Sequence, residues 1–230
     1  KVYLYTDGNC NAAINANELT DSVIVDSSGF YQFSKSPEKT VEDNFDDGAG
    51  GRTCNNGTDG DSPWAGNWVD ANDGSAGFCN NSQSAANTDV DIFNDGTFTY
   101  ALRLKDNNVS ATRSVDLNLA TKAFLTFSYR RKTALAAGED VLVQASSNGT
   151  AFTTIFTIVG NGATDANYVT VYNQDITSYA SATSAIRFLT NNNVDDADTV
   201  YIDDVSIRFL KYPQCYITNI AAASVPVNYS

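Results

Sequence analysis

Oxygen-bearing side chains near the start of the chain have the spacing of a calcium-binding loop. Asp7 and Glu18 would be its first and twelfth positions, and Ala12 stands where the usual pattern has a glycine for a sharp turn. The predicted ligands are Asp7, Asn9, Asn11, the Ala13 carbonyl, Asn15 and Glu18. Because only Asp7 and Glu18 bring charge, we expect weak calcium binding, in the ~10⁻⁴–10⁻³ M range. The alternative is an asparagine-rich turn that holds no metal.

The elements that would position this loop are short strands. β-branched and aromatic runs alternate with clusters of Gly, Asn, Asp and Ser, and no long segment has helical periodicity. In the run 201–207, strict alternation would put Tyr201, Asp203, Val205 and Ile207 on one face. We therefore predict an all-β fold with strands at 2–5, 22–25, 30–34, 97–104, 123–131, 140–146, 153–159, 169–173, 185–190, 199–209 and 215–220.

Composition excludes several function classes. The 230 residues include 27 acidic and 14 basic side chains, a net charge of -13 that disfavours nucleic-acid binding. The chain has no histidine, so the commonest general base and the imidazole metal ligand are both missing. Oxygen ligands are abundant, which makes calcium the expected cofactor. No apolar run is long enough to span a membrane.

Four cysteines in an acidic chain rich in Asn, Thr and Ser indicate two disulfides and an oxidising compartment. The sequence allows three pairings. We favour Cys54 with Cys79, which share a loop-rich stretch, and Cys10 with Cys215, which would join the two ends of the chain. Four buried free thiols are the alternative.

No catalytic motif is present. A nucleophile elbow, a zinc-protease motif and a phosphate-binding loop are all missing from the sequence, so we predict that the protein is not an enzyme. Trp64 and Trp68 are candidate glycan-binding rings, as loop aromatics often stack on sugars. Their four-residue separation also fits two rings that cap the sandwich core, which is the interpretation that we favour.

The two ends of the chain resemble one known family. Val2 to Leu4, the loop Asp7 to Glu18, the run Asp26 to Phe33 and the run Ala223 to Tyr229 follow the order of motifs in SdrD B-like repeats of bacterial surface proteins. Those repeats are small prealbumin-like β-sandwiches, and their motifs are not separated by a long insertion. The resemblance implies a host domain formed by residues 1–36 and 211–230. It also implies a final strand beyond Ser230, and hence strand sharing between copies or tandem linkage in a longer chain.

The middle of the chain, residues 37–210, resembles secreted jelly-roll modules of the galactose-binding or MAM-like kind. The resemblance rests on the runs Val41 to Asp47, Ala123 to Arg131, Val141 to Gly149 and Val200 to Ile207, together with Trp64 and Trp68. In such modules the first and last strands are adjacent. The resemblance therefore implies that Glu42, Asp43 and Asp204 lie close together and hold a structural calcium.

These expectations combine into one architecture, a jelly-roll β-sandwich inserted into a small prealbumin-like β-sandwich. We expect a structural repeat unit of an extracellular bacterial surface protein, adhesin or filament, stiffened by calcium and disulfides. Its expected partners are further copies of itself. The alternative is a carbohydrate-binding module of a secreted protein, with a polysaccharide as its partner.

Overall fold

The computed structural model describes residues 2–6, 19–24, 38–46, 59–72, 89–94, 100–211 and 216–220. The chain divides into two compact units. One unit combines Lys1–Pro37 with Tyr212–Ser230, and the other is Glu38–Lys211. These bounds differ by one residue at each junction from the predicted 1–36, 37–210 and 211–230.

The first unit contains an antiparallel sheet made from both ends of the chain. Its strands are β1 (Val2–Thr6), β2 (Leu19–Val23) and β14 (Tyr216–Ile220), with β1 in the centre. Val2 pairs with Val23 on one side and with Ile220 on the other. The sheet therefore joins segments that are almost the whole chain apart in sequence.

The second unit is a sandwich of two antiparallel sheets. The five-stranded sheet has the order β10-β9-β12-β7-β4, and the six-stranded sheet has the order β11-β8-β13-β6-β5 with β3 also paired to β13. The strands are β3 (Glu38–Asp43), β4 (Val69–Ala71), β5 (Val90–Asn94), β6 (Tyr100–Leu104), β7 (Ser110–Val115), β8 (Ala120–Arg131), β9 (Val141–Ser146), β10 (Thr153–Ile158), β11 (Val169–Asp175), β12 (Ser184–Thr190) and β13 (Val200–Lys211). Only one 3₁₀ turn, Thr177–Tyr179, interrupts this pattern in the described ranges. The predicted all-β sandwich is confirmed.

Aromatic and aliphatic side chains from both sheets meet between them. Phe127 of β8 and Phe188 of β12 have ring centroids 5.4 Å apart in an edge-to-face contact. Trp68 packs on Phe188 at 6.1 Å and on Phe45 at 5.8 Å. Alternation supplies this core, since Val141, Val143 and Ala145 of β9 point inward and are buried. Contacts between large rings stabilise the sandwich beyond the apolar area that they bury.

A bulge in β13 overturns the predicted alternation of residues 201–207. The pairing with β8 shifts between Asp203 and Ser206, and Asp204 adopts a left-handed backbone with φ 48°. The extra residue reverses the phase of the strand, so Ile202 and Val205 both point into the core while Tyr201 lies on the outer face. Strict alternation cannot continue across a bulge, and for that reason the sequence pattern wrongly put Val205 and Ile207 on the same face as Tyr201 and opposite Ile202.

A buried ion pair connects the two sheets. Arg113 of β7 is 0% exposed and Asp43 of β3 is 1% exposed, and the Arg113 guanidinium donates to the Asp43 carboxylate. Trp68 Nε1 donates to Asp43 Oδ2 at 2.8 Å, and the Phe45 amide donates to Asp43 Oδ1 at 2.9 Å. On the other side, Arg113 Nε donates to the Gly66 carbonyl at 3.1 Å. Both charges therefore have hydrogen-bond partners that offset part of their desolvation.

Removing the two members of this pair should have non-additive effects on stability. We expect Asp43→Asn and Arg113→Met each to lower the free energy of unfolding by about 3–5 kcal/mol, because each leaves a buried group without its partner. The double variant should lose clearly less than the sum of the single losses. Urea unfolding followed by tryptophan fluorescence measures all three.

Arg208→Met is the matched control for that cycle. Arg208 pairs with Glu38 at 3.2 Å, but both side chains are more than a third exposed. Its loss should therefore change the free energy of unfolding by less than about 1 kcal/mol. Additive effects in the Asp43 and Arg113 double variant would show that the two charges do not depend on each other.

Candidate functional site

The bulge in β13 borders an acidic groove on the outer side of the six-stranded sheet. Thr40 and Glu42 of β3 face it, with Ser206 paired to Glu42 and Arg208 paired to Thr40 across the strands. The groove has a volume of about 430 Å³. Its lining residues are Thr40, Glu42, Asp43, Asn44, Asp59, Thr126, Asp204, Val205, Ser206 and Arg208.

Hydrogen bonds hold the walls of the acidic groove in place. Ser206 Oγ donates to Glu42 Oε1 at 3.2 Å. The backbone N–H of Asn44 donates to Asp59 Oδ2 at 3.0 Å. Carboxylate, amide and hydroxyl oxygens are the donors that calcium prefers, and Arg208 is the single cation in the lining.

The carboxyl of Asp204 is electrostatically disfavoured in its charged form. The surrounding protein removes water from it and raises its pKa above the ordinary value of 3.8, and the carboxylate of Asp46 adds to the rise. A bound cation would relieve both effects. The predicted neighbours Glu42 and Asp204 do line one groove, which agrees with the adjacency of β3 and β13.

Asp43 does not belong in the predicted calcium set. Its carboxylate points between the sheets, where Arg113, the Trp68 indole and the Phe45 amide already donate to it. Burial raises the pKa of Asp43, while the Arg113 charge and the hydrogen bonds oppose that rise. A calcium ion on this carboxylate would have to displace a buried guanidinium or lie beside it, and like charges repel.

Trp64 and Trp68 are core residues, so a sugar cannot stack on their rings. Trp64 is 5% exposed and Trp68 is 2% exposed. The Trp64 ring covers the Arg113 guanidinium at 4.5 Å, and Trp64 Nε1 donates to the Glu42 carbonyl at 2.9 Å. The prediction of glycan-binding rings at these two positions is wrong, because both rings cover the buried ion pair.

A second group of carboxylates was only partly visible in the sequence. Oxygens of Glu139, Asp195 and Asp198 lie within 4.8 Å of one another, and in the described ranges no other three acidic side chains do so. Burial raises the pKa of Asp198, and the charges of Glu139 and Asp195 add to the rise. The acidic run at 195–198 is evident in the sequence. Glu139 is distant from it along the chain, so no spacing signal connects them.

The remaining predicted site residues lie outside the described residues. These are the calcium-loop residues Asp7, Asn9, Asn11, Ala13, Asn15 and Glu18, and the four cysteines Cys10, Cys54, Cys79 and Cys215. Their roles stay predictions.

Comparison with known proteins found similar folds among solved structures only at low sequence identity. No protein-family model and no curated protein matches the chain. Its structural neighbours include β-sandwich adhesin domains and carbohydrate-binding modules.

One neighbour is the K3 cleaved adhesin domain of Lys-gingipain from Porphyromonas gingivalis, with 16% identity, a TM-score of 0.36 and coverage of 48% of this chain and 72% of that one. A second is the xylan-binding CBM22-1 domain of Paenibacillus barcinonensis Xyn10C, with 15% identity, a TM-score of 0.37 and coverage of 54% and 81%. A third is a CBM28 module specific for non-crystalline cellulose, with 14% identity, a TM-score of 0.41 and coverage of 60% and 84%. At these values the likeness concerns the β-sandwich fold.

The described part of the chain has no helix with the length and hydropathy of a membrane span.

Asp204→Asn tests the electrostatics of the acidic groove. A carboxyl whose pKa is raised by folding favours the folded state below its unfolded pKa of 3.8 and disfavours it as the pH rises through the folded pKa. In calcium-free buffer we therefore expect the variant to be more stable than the parent near pH 7, by less than about 1 kcal/mol after solvent screening, and equally stable near pH 3. Asparagine tolerates the left-handed backbone at this position.

Urea midpoints at the two pH values give the measurement. Asp116→Asn is the control, since Asp116 is 58% exposed and lies outside the groove. Loss of stability in Asp204→Asn at neutral pH would mean that the charged carboxylate stabilises the fold, contrary to this account.

Proposed function

We propose that this chain is a non-catalytic structural module of an extracellular bacterial surface protein, with residues 38–211 as a domain inserted into a small host formed by both chain ends. One observation carries the proposal. β1 pairs with β2 on one side and with β14 on the other, so the first and last segments of the chain belong to one sheet. A single fold built from both ends, with a second fold between them, is the arrangement that an inserted domain produces.

The pairing of β3 with β13 supports this arrangement. Glu38, the first residue of the sandwich unit, pairs with Leu210, one residue before the last. The chain therefore enters and leaves the sandwich at neighbouring positions. An insertion with this property can be accommodated in one loop of a host without displacing the strands on either side of it.

The interior of the sandwich is suited to a mechanical role. β13 pairs with β8 along most of its twelve residues and with β3 and β6 on its other side, so one long strand holds three neighbours. The Asp43–Arg113 pair then connects the two sheets. Both tryptophans are buried in this interior. Their burial fits the proposed structural role and leaves neither ring available to stack on a sugar.

Calcium and disulfides are proposed as the stiffening elements of the module. In the host, the oxygen ligands from Asp7 to Glu18 would hold one ion, and the favoured disulfide between Cys10 and Cys215 would tie that loop to the other end of the chain. In the sandwich, Glu42 and Asp204 of the acidic groove would hold a second ion without Asp43. Assembly of copies by strand sharing or tandem linkage completes the proposal.

The alternative function is a carbohydrate-binding module of a secreted protein. The buried tryptophans remove its predicted site, so a polysaccharide would have to contact an outer sheet face. The acidic groove offers hydroxyl, amide and carboxylate groups that can form hydrogen bonds with sugar hydroxyls.

Calcium-dependent stability is the test of the proposed module. With a dissociation constant near ~10⁻⁴ M, calcium at about 1 mM should stabilise the full chain by about 1.4 kcal/mol relative to EGTA. Asp7→Ala should remove most of this gain, and Glu42→Gln a smaller part. Thermal unfolding measures the shift, and electron microscopy of the same samples should show rods or filaments that are lost on chelation.

Asp116→Asn is the matched control, because it removes an exposed carboxylate outside both proposed sites and should leave the calcium response unchanged. An identical melting temperature in calcium and EGTA would reject calcium stiffening. Monomers under every condition would reject self-assembly.

A further inference from the structure

The outer face of the five-stranded sheet differs in charge from the rest of this acidic protein. Side chains that alternate with the buried core residues of β10, β9, β12, β7 and β4 point away from the second sheet. One cross-strand row on this face consists of Thr154, Gln144, Arg187, Thr112 and Val69, paired in that order. Arg187 is the only charged residue among the outward positions of these five strands. The outward positions of these five strands therefore carry one positive charge and no carboxylate, in a chain whose net charge is -13.

Arg187 is held in a fixed orientation. Its Nε donates to Gln144 Oε1 at 2.7 Å, and its guanidinium carbon lies 4.0 Å from the centre of the Phe152 ring. Gln144 is in turn fixed, because its Nε2 donates to Thr154 Oγ1 at 3.1 Å. The Gln144 amide contacts one edge of the guanidinium, and the Phe152 ring covers one of its faces. The two terminal nitrogens lie on the remaining side. No described residue accepts a hydrogen bond from them.

Arg187 differs from other arginines of the sandwich because no carboxylate among the described residues pairs with it. Each of four other arginines forms an ion pair with an acidic side chain, namely Arg103, Arg113, Arg131 and Arg208. Burial lowers the pKa of Arg187, and no neighbouring negative charge offsets the effect. The protein thus keeps a partly desolvated cation on this face without the partner that the other four have.

We propose that the outer face around Arg187 binds a polysaccharide that carries carboxylates, with the guanidinium pairing with a uronic-acid group. A planar guanidinium whose free side is a pair of N–H donors matches a carboxylate in bidentate geometry. The hydroxyls of Thr112 and Thr154, in the same cross-strand row, can both donate to and accept from sugar hydroxyls.

The charge of the whole protein narrows the ligand class. A net charge of -13 repels polyanions with a high charge density, such as nucleic acids or highly sulfated glycans. One cation on a face without acids instead suits a chain in which uronic-acid residues alternate with uncharged sugars. This inference adds a ligand to the proposed module and does not depend on how the sandwich is inserted.

Hyaluronan oligosaccharides are the probe, because glucuronate alternates with an uncharged sugar in them. Isothermal titration of the full chain should detect binding to hyaluronan and none to the same oligosaccharide with its carboxylates reduced to alcohols. Arg187→Ala should weaken binding by at least about tenfold, the size expected for a lost charge-assisted hydrogen bond. Lys122→Ala removes one positive charge from an exposed position of β8 in the six-stranded sheet and should leave binding unchanged.

Thr112→Glu separates loss of the site from loss of the fold. Thr112 pairs directly with Arg187 across the strands, so a glutamate there would supply the missing carboxylate. We expect this variant to lose hyaluronan binding while its melting temperature stays equal or rises.

Three results would overturn the proposal. They are no binding of hyaluronan by the parent chain, equal binding by Arg187→Ala, and equal or tighter binding of poly-glutamate, which would point to an acidic peptide instead. None of these results tests the calcium response or the assembly of the module. Thermal unfolding in calcium and EGTA and electron microscopy test those properties independently.

Discussion

The buried pair of Asp43 and Arg113 is the interaction on which the sandwich most depends. Two charges that are almost fully removed from water are tolerated only when each is neutralised and hydrogen-bonded, since the desolvation penalty is several kcal/mol per ion. Trp68, Phe45 and Gly66 supply those hydrogen bonds, and Trp64 covers the guanidinium. The pair therefore fixes the segment 64–68 against both sheets. It specifies one alignment of β3 with β7, because any shift would leave a charge buried without its partner.

The same pair accounts for two of the strands that the sequence pattern missed. Strands with apolar alternation, such as β9, β8 and β12, were predicted close to their observed bounds. The strand pattern did not mark β3, β4, β5 or β7, and two of these four, β3 and β7, contain Asp43 and Arg113. A charged residue at an inward position erases the apolar pattern, and only the partner on the other sheet makes that position acceptable. The pairing partner is 70 residues away, so no local window contains the signal.

The candidate sites follow from the same reasoning. The resemblance implied that the first and last strands are adjacent, and the pairing of β3 with β13 brings Glu42 and Asp204 to one groove. The resemblance could not show that Asp43, the next residue after Glu42, points to the opposite side of its strand and serves the core. Nor could alternation show that a bulge turns Asp204 outward, since nothing in the run 200–207 identifies the inserted residue. Neighbours in sequence thus have opposite roles, one in the interior and one on the surface.

Charge is distributed unevenly over the sandwich, and this distribution separates its two outer faces by chemistry. Acidic side chains gather at the groove beside β13 and at Glu139, Asp195 and Asp198, where burial and then neighbouring like charges raise the pKa of Asp204 and Asp198 and favour a cation. The outward positions of the five-stranded sheet hold Arg187 and no acid. In a chain with nearly twice as many acidic as basic residues, a face without carboxylates leaves its one cation available, because any neighbouring aspartate or glutamate would pair with it. The two faces therefore suit ligands of opposite charge, and a single module could hold a metal ion on one side while it contacts an anionic polymer on the other.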